Sequence, residues 1–228
     1  YLRMRKGERS SYSMVMTYKG ERTMLVAHRP HHYRLPALVP FQWLYISEMG
    51  SDYEDLFRSV VSLVRRRGAK LAFNPGVVQL QGGVRKLAPM LKVTEVLFVN
   101  KEEGAELLNH RAAPLDLHHI ITQVWKLGPK VVVLTDGSAG SYAFDGGDAW
   151  HLPVFPAKPV EMTGAGDSFA TGFLAGRMRG KSIQECLRWG AANAASVISY
   201  VGPQPGLLTK PKIAKALRKH RGVIAKVL

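Results

Sequence analysis

The sequence has little cysteine, few acidic residues and no long apolar run. Its single cysteine, Cys186, excludes a disulfide within the chain. The helical pattern around it, residues 183–189, favours a packed thiol over a reactive one. No apolar run approaches the roughly 18 residues of a membrane span, and no N-terminal hydrophobic region resembles a signal peptide. We therefore expect a cytoplasmic protein that makes no membrane contact.

Acidic residues are outnumbered: 17 Asp and Glu stand against 32 Lys and Arg, which gives a formal net charge of +15. Such a charge raises the expectation of a polyanionic partner. The basic residues are nevertheless spread along the chain, apart from Arg65–Arg67 and the tail from Lys210 to Lys226. Both clusters fall on predicted helices near solvent. We interpret them as solvated faces and do not expect nucleic-acid binding, which stays an alternative.

The length of 228 residues suits one substantial α/β domain, and we treat residues 1–228 as a single domain. From Gln42 onward, short apolar segments alternate with segments of helical period, which predicts a mostly parallel sheet flanked by helices on both faces. The Val-Val-Val-Leu run within residues 130–134 is typical of a strand buried on both sides. The predicted strands are 43–46, 70–73, 96–99, 130–134, 141–144 and 149–152, and the predicted helices are 52–67, 82–91, 101–108, 115–127, 183–197 and 211–219.

The N-terminal part has a different pattern. Residues 12–27 alternate in hydrophobicity around Lys19-Gly20, with Tyr12, Met14 and Met16 on one arm. Such alternation around a short glycine turn predicts a β-hairpin.

Polar residues that directly follow strands are the candidates for a site, because ligands of such sheets bind beyond the carboxyl ends of the strands. Asn74 follows strand 70–73, Asn100 follows strand 96–99, and Thr135 follows strand 130–134. All three stand where a site is expected.

The stretch Thr163-Gly-Ala-Gly-Asp167 carries the clearest chemistry. Its glycines and the apolar residues after it predict a loop whose backbone N–H groups open a helix, and such groups bind anions. Asp167 falls in the first helical turn, where the dipole stabilises a carboxylate. A carboxylate beside such amides suits phosphoryl transfer to an alcohol: it accepts the hydroxyl proton while the amides hold charge on the phosphoryl oxygens.

A purely structural interpretation of the same stretch is also open. Thr163 could cap the helix, Gly164 and Gly166 could be ordinary turn residues, and Asp167 could be a favourable first-turn acid. Short glycine motifs have many false positives, so the wider context must decide.

Three motifs together resemble one known family. Asn100-Lys-Glu-Glu103, Thr135-Asp-Gly-Ser-Ala-Gly140 and Thr163-Gly-Ala-Gly-Asp167, in this order and at these distances, resemble the ribokinase-like (PfkB) family of ATP-dependent sugar and nucleoside kinases. The last motif, extended to Phe173, is specific, whereas the first two gain their weight from the order. The resemblance covers nearly the whole chain, from the hairpin at 12–27 to the final helix.

The resemblance implies a ribokinase-like three-layer sandwich with a partial β lid, for which the hairpin at 12–27 is the candidate. It implies that the γ-phosphate of ATP is moved to a hydroxyl of a sugar. A nucleoside kinase of the adenosine type is the alternative, since it would use the same catalytic half. A catalytically inactive protein with the kinase fold that binds nucleic acid through its basic surface is the alternative from another class. A homodimer through the lid is a further possibility.

The resemblance also implies residue roles. Asp167 matches the catalytic base, and Gly164, Ala165 and Gly166 match the anion hole for the transferring phosphoryl group. Asn100 and Glu103 match the pair that positions Mg²⁺ and its waters near the phosphates. The remaining matches are on the nucleotide side: Thr135, Gly137 and Gly140 in the loop along the nucleotide, and Asn193 on a helix beside the adenine.

Each of these positions also has a structural alternative. Asn100 could cap the helix that starts at Lys101, with Glu103 completing a capping box. Thr135, Gly137 and Gly140 could form a plain strand exit and turn. Asn193 could be an amide that is satisfied at the surface or in the core.

Two departures from the family pattern affect what can be expected. Glu161-Met162 replaces the Asp-Thr that usually begins the last motif, and because that aspartate commonly contributes to a monovalent-cation site, K⁺ activation is in doubt. The strand and glycine-rich segment that usually supply the sugar contacts have no equivalent before Tyr12. We expect about 70 to 100 residues to be missing, judged from the usual size of such domains; a degenerate member that no longer phosphorylates a sugar is the other possibility.

Overall fold

The computed structural model of the chain describes residues 7, 9–18, 21–27, 29, 32–109 and 116–228. The strands are β1 (Tyr12–Tyr18), β2 (Glu21–Ala27), β3 (Trp43–Ile46), β4 (Lys70–Phe73), β5 (Thr94–Asn100), β6 (Val131–Thr135), β7 (Ser141–Phe144), β8 (Ala149–Leu152) and β9 (Lys226–Val227). The helices are α1 (Glu54–Arg67), α2 (Val77–Gln81), α3 (Val84–Leu91), α4 (Lys101–Leu107), α5 (Leu117–Lys126), α6 (Ala165–Arg177), α7 (Ile183–Val197) and α8 (Lys210–Lys219), with a 3₁₀ turn at Gly137–Ala139. No helix in the described ranges has both the length and the apolar character needed to span a membrane.

Seven strands form one sheet in the order β3-β4-β5-β6-β7-β8-β9. The pairs from β3 to β6 are parallel, and the pairs from β6 to β9 are antiparallel. β8 therefore points the same way as β3 to β6, so five of the seven strands share one direction. The carboxyl ends of β3, β4, β5 and β6 meet at one edge of the sheet, where the parallel arrangement predicts a site.

Helices cover both faces of this sheet. Alternate strand residues separate into two apolar clusters: Leu97 and Leu134 belong to one, and Phe98 and Val133 belong to the other. The first cluster is completed by α1 and α3 to α5, and the second by α6, α7 and the partly buried side of α8. This three-layer arrangement confirms the predicted fold class and explains why the Val-Val-Val-Leu run is apolar at every position.

The predicted element boundaries agree closely with the structure. Strands 43–46, 70–73, 141–144 and 149–152 and helix 183–197 have the same bounds. The helix predicted at 82–91 is α3, which begins at Val84, and the sequence analysis missed the short helix α2, which Gly82-Gly83 separate from α3. Gly83 has a φ of 83°, a left-handed conformation that a continuous helix cannot contain.

The hairpin at 12–27 is confirmed as an antiparallel pair, with Tyr12 opposite Ala27 and Tyr18 opposite Glu21. It forms a two-stranded sheet of its own. Its predicted turn residues, Lys19 and Gly20, lie outside the described residues, as does Leu115 at the predicted start of α5.

α6 and α7 pack very closely, because glycine lies at the contact on both helices. A side chain at Gly172 would meet the Trp189 carbonyl at 2.7 Å, and one at Gly190 would meet the Phe169 carbonyl at 2.9 Å. Helices that approach this closely form one rigid unit under the sheet. That unit carries Asp167 at one end.

Candidate active site

The candidate residues at the ends of β4, β5 and β6 lie side by side. Asn100 and Thr135 are register partners at the last positions of β5 and β6. The Asn74 amide donates to the Phe98 carbonyl at 2.9 Å and so ties the end of β4 to β5. Lys101 and Asp136, the residues after Asn100 and Thr135, form an ion pair at 3.5 Å. The predicted alignment of polar residues at the carboxyl edge is thus present.

The loop at 163–167 opens α6 as predicted, with Gly164 as the N-cap residue. Gly164 has a φ of 78°, and a side chain there would meet Pro203 at 2.6 Å, so both conformation and space require glycine. The Ala165 N–H donates to the Met162 carbonyl at 3.2 Å. The N–H groups of Gly166 and Asp167 belong to the first turn and have no acceptor within the helix. Nothing lies within 4 Å of where a Gly166 side chain would be, which leaves the approach open.

Asp167 itself is exposed in the first turn of α6. Its carboxylate lies at the positive end of the helix dipole, beside the backbone amides of the loop. An exposed carboxylate next to such amides can accept a proton from a bound hydroxyl.

Asn100 and Glu103 form a capping box at the start of α4. The Asn100 side-chain oxygen accepts the Glu103 N–H at 2.8 Å, and the Glu103 carboxylate accepts the Asn100 N–H at 2.8 Å. The pair therefore forms the helix cap that was the structural alternative to a role in binding Mg²⁺. It does not compete with a role in binding, because the cap holds the carboxylate at the carboxyl edge of the sheet.

The electrostatic surroundings of Glu103 favour a cation. Burial raises the pKa of Glu103, and the Asn100 N–H opposes that shift. The negative charges of Glu48, Glu102 and Glu106 raise the pKa further. No three His, Cys, Asp or Glu side chains in the described ranges come together as the ligands of a metal ion. A carboxylate-rich edge suits Mg²⁺, which binds oxygen ligands and keeps several of its waters.

A pocket of about 150 Å³ lies between the β6–β7 turn, the start of α6 and one side of α7. It brings together Thr135, Gly137 and Gly140 with Ala165 and Gly166, which sequence analysis had placed in two separate motifs. Gly140 has a φ of 105°, and a side chain there would collide with the Leu152 carbonyl. The rest of the lining was not predicted and is mainly apolar: Ser141, Pro153, Val154, Phe155, Met162, Phe169, Ala191, Ala194, Ala195 and Ile198.

Asn193 is not part of the pocket lining, although it was predicted to lie beside the nucleotide. Its buried amide donates to the Ser168 carbonyl at 2.7 Å, and its oxygen accepts the Leu208 N–H at 2.9 Å. The side chain thus links α6, α7 and the segment before α8. The pocket is reached instead by Ala191, Ala194 and Ala195 of the same helix.

Glu161, at the first departure from the family pattern, has a defined contact. Its carboxylate accepts the Gly202 N–H at 2.8 Å, while the Glu161 N–H donates to the Ile198 carbonyl at 3.2 Å. Glu161 therefore ties the segment before the loop at 163–167 to the end of α7. Met162, the second departure, lines the pocket.

Two further residues that sequence analysis missed support the site. Gln79 is fully buried, and its amide bonds both the N–H and the C=O of Met49, at 3.2 and 2.7 Å. His151 contacts the Ala139 carbonyl through Nε2 at 2.9 Å and stacks on Tyr142 with ring centroids 4.5 Å apart. Gln79 holds the loop after β3, and His151 holds the 3₁₀ turn beside the pocket.

Comparison with known proteins agrees with this geometry. A nucleoside kinase from Methanocaldococcus jannaschii is 31% identical over 155 residues, which are 66% of this chain and 48% of that protein. A cytidine kinase from Thermococcus kodakarensis is 36% identical over 123 residues, 51% of this chain and 41% of that protein. The chain spans about half the length of the curated relatives it matches.

Solved structures show the same fold. The nucleoside kinase of Methanocaldococcus jannaschii superposes on this chain with a TM-score of 0.73 and 22% sequence identity. The superposed region covers 94% of this chain and 70% of the kinase. The Burkholderia thailandensis nucleoside kinase in complex with inosine superposes with a TM-score of 0.74 and 16% sequence identity. The superposed region covers 93% of this chain and 70% of that kinase.

A match between the sequence and a protein-family model identifies the family of this chain. The model of the pfkB family of carbohydrate kinases matches residues 1–210. The matched region includes the strand ends, the pocket and the loop that opens α6. The chain belongs to the pfkB family of carbohydrate kinases.

Proposed function

We propose that this chain transfers the γ-phosphoryl group of ATP to a hydroxyl of a sugar. One observation carries the proposal: Ala165 and Gly166 line the apolar pocket, and the exposed Asp167 follows them in the same helical turn. A nucleotide in the pocket would direct its phosphates to the N-terminus of α6, where backbone amides bind anions. The acceptor hydroxyl would then meet a carboxylate at the point of transfer.

Asp167 acts as the general base in this proposal. Its carboxylate accepts the proton of the acceptor hydroxyl as the oxygen attacks the phosphorus. The amides of Gly164, Ala165 and Gly166 stabilise the negative charge on the transferring phosphoryl oxygens. For Ala165 this means exchanging its 3.2 Å bond to the Met162 carbonyl for a bond to phosphate.

The nucleotide base occupies the apolar pocket. The alanines of α7 and the side chains of Phe155 and Phe169 offer apolar surface to a flat purine ring. Thr135, Gly137 and Gly140 lie along the ribose and phosphates, and the two glycines let the chain pass close to them. Asn193 is a positioning residue here, because its amide is already bonded to Ser168 and Leu208.

Asn100 and Glu103 would hold Mg²⁺ through its waters at the carboxyl edge of the sheet. When bound, Mg²⁺ neutralises charge on the phosphate oxygens. A related E. coli protein of the ribokinase type has been solved with ATP and Mg²⁺. The chain's own contribution is a fixed carboxylate, held by the capping box and surrounded by the charges of Glu48, Glu102 and Glu106.

A nucleoside is the second candidate acceptor. Two of the curated relatives are a nucleoside kinase and a cytidine kinase, and one structural neighbour is a nucleoside kinase with bound inosine. Sugar kinases are also among the relatives, including a 5-dehydro-2-deoxygluconokinase from Halalkalibacterium halodurans. Both acceptors present a sugar hydroxyl, so the same base and anion hole would serve either.

The test is ATP-consumption turnover with Mg²⁺ against ribose, fructose, adenosine, cytidine and inosine. We expect turnover with at least one acceptor, and Asp167→Asn should lower kcat by about 10²- to 10⁴-fold while ATP still binds. Asp148→Asn is the matched control, because Asp148 is exposed at the end of the β7–β8 hairpin away from the pocket. Near-normal turnover in Asp167→Asn would refute the assignment of the base.

A homodimer through the hairpin is a further part of the proposal. The hairpin exposes apolar side chains from both strands: Tyr12, Met14, Val15, Met16, Met24, Leu25 and Val26. A surface of this kind is typical of an interface. Leu25→Lys should shift the protein to monomer in light scattering, and a wild-type monomer at all concentrations would contradict the proposal.

A further inference from the structure

Tyr45 lies on the face of the sheet that α6 covers, one residue before the end of β3. Its ring packs edge-on against Phe98, with centroids 6.5 Å apart, and Phe98 packs edge-on against Phe173 of α6 at 5.6 Å. This chain of rings places Tyr45 beneath the helix that carries Asp167. No sequence motif had singled it out.

The hydroxyl of Tyr45 is closed off from solvent and has no hydrogen-bond partner in the described part of the chain. A buried hydroxyl without a partner is unfavourable, because it gives up its bonds to water and gains none in return. Such a group is explained when another state of the protein supplies the partner. The burial of the oxygen argues against a substrate as that partner.

Ala165 and Gly166 share the pocket with Thr135 at the end of β6, so Asp167 lies at the carboxyl edge of the sheet, where β3 ends one residue after Tyr45. Burial and, after it, the negative charge of Asp167 raise the pKa of Tyr45 to about 12. The phenol therefore keeps its proton near neutral pH, so it can donate a hydrogen bond but cannot serve as a base. A neutral donor beside a carboxylate can form a charge-assisted hydrogen bond with it.

We propose that Tyr45 is a positioning residue whose O–H donates to the Asp167 carboxylate in the state that transfers the phosphoryl group. The bond fixes one oxygen of the Asp167 carboxylate against Tyr45 and leaves the other oxygen free to accept the proton of the acceptor hydroxyl. Orientation of a base in this way acts on the chemical step more than on binding. The inference rests on the proposed role of Asp167 as base.

The test compares Tyr45→Phe with the wild-type full chain, with Mg²⁺-ATP and the acceptor from the panel that gives the highest turnover. We expect kcat to fall by about 5- to 20-fold, with KM for ATP and for the acceptor within about twofold of wild type. The thermal midpoint should be unchanged or higher, because the substitution removes a buried hydroxyl that has no partner in the resting structure.

Tyr53→Phe is the matched control. The Tyr53 hydroxyl is also buried without a partner, but it belongs to the apolar cluster on the opposite face of the sheet. This variant makes the same chemical change and should leave kcat unaltered. An equal loss of kcat in both variants would attribute the effect to the fold and overturn the inference.

The double variant Tyr45→Phe/Asp167→Asn shows whether Tyr45 acts through Asp167. In single-turnover measurements with excess enzyme, Tyr45→Phe should cause no further loss once Asp167 is replaced. The same loss in both backgrounds, or a wild-type kcat in Tyr45→Phe alone, would overturn the inference and leave the proposed function intact. Absence of wild-type turnover with every acceptor would instead refute the proposed function and this inference with it.

Discussion

Asn100 and Glu103 hold each other in place through two 2.8 Å hydrogen bonds between the side chain of one and the backbone N–H of the other. The pair is a helix cap, and in our proposal it also positions Mg²⁺. The two roles can be separated, because a cap needs only a hydrogen-bond acceptor, whereas a divalent cation is bound more tightly by a charged carboxylate than by a neutral amide oxygen.

Glu103→Gln should preserve the cap and remove the charge, since the glutamine oxygen can still accept the Asn100 N–H. We expect kcat/KM for Mg²⁺-ATP to fall by about 10- to 100-fold, with no loss in the thermal midpoint. Turnover at varied Mg²⁺ concentration measures the first effect, and thermal unfolding measures the second.

Glu185→Gln is the control, because Glu185 completes a capping box with Ser182 at the start of α7. It should leave both turnover and stability near the wild-type values. A loss of stability in Glu103→Gln with unchanged kinetics would mean that Glu103 is only a cap.

The pH dependence of stability gives an independent test of the burial of Glu103. Its pKa in the folded protein is raised above the ordinary value of 4.5, first by burial. A raised pKa means that the folded state holds the proton more tightly than the unfolded state. The stability from this group is therefore present below the ordinary value and is lost as pH rises through the folded-state pKa.

Glutamine at this position cannot titrate, so Glu103→Gln should gain stability relative to wild type as pH rises from below 4.5 through the folded-state pKa of Glu103. Urea unfolding of both proteins in EDTA measures the difference without bound metal. If the wild-type protein instead gained stability over the variant as pH rises, the raised pKa of Glu103 would be contradicted.

Local pattern was enough to predict most of the fold and the main motifs. The strand bounds follow from short apolar runs, and the loop at 163–167 follows from glycine and helix-start chemistry. The five-residue helix α2 was missed because Pro75-Gly76 before it and Gly82-Gly83 after it resemble a loop in sequence. Its helix depends on Gln79, whose partner Met49 lies 30 residues earlier.

The walls of the pocket could not be predicted either. Val154, Ala194 and Ile198 are ordinary apolar residues in sequence, and only the packing of α7 against the β7–β8 side brings them together. Asn193 shows the converse: its motif pointed to the nucleotide, but the close approach of α6 and α7 at Gly172 and Gly190 directs its amide to the Ser168 carbonyl.

Gln79 should be important for stability. Its oxygen accepts the N–H groups of Met49 and Gly76, and its nitrogen donates to the Met49 carbonyl. Gln79→Leu keeps the approximate volume and leaves these buried backbone groups without partners, which should cost about 2 to 4 kcal/mol. Urea denaturation measures the change in the free energy of unfolding.

The control for that measurement is Gln81→Leu, two residues along the same helix and exposed to solvent. It should change the free energy of unfolding by less than about 0.5 kcal/mol. Equal losses in the two variants would mean that the hydrogen bonds of Gln79 are not the cause.

His151 should affect nucleotide affinity without taking part in the chemistry. Its Nε2 donates to the Ala139 carbonyl, because a carbonyl can only accept, and this bond holds the 3₁₀ turn between Gly137 and Gly140.

His151→Phe keeps the stacking on Tyr142 and removes the donor, so KM for ATP should rise about three- to tenfold, as expected for the loss of one hydrogen bond. The kcat should change little, because the substitution acts on the 3₁₀ turn that lines the pocket and leaves the Asp167 carboxylate in place. Steady-state kinetics at varied ATP measures both values, with His118→Phe on the exposed side of α5 as the control; a fall in kcat at constant KM would place His151 in the chemical step instead.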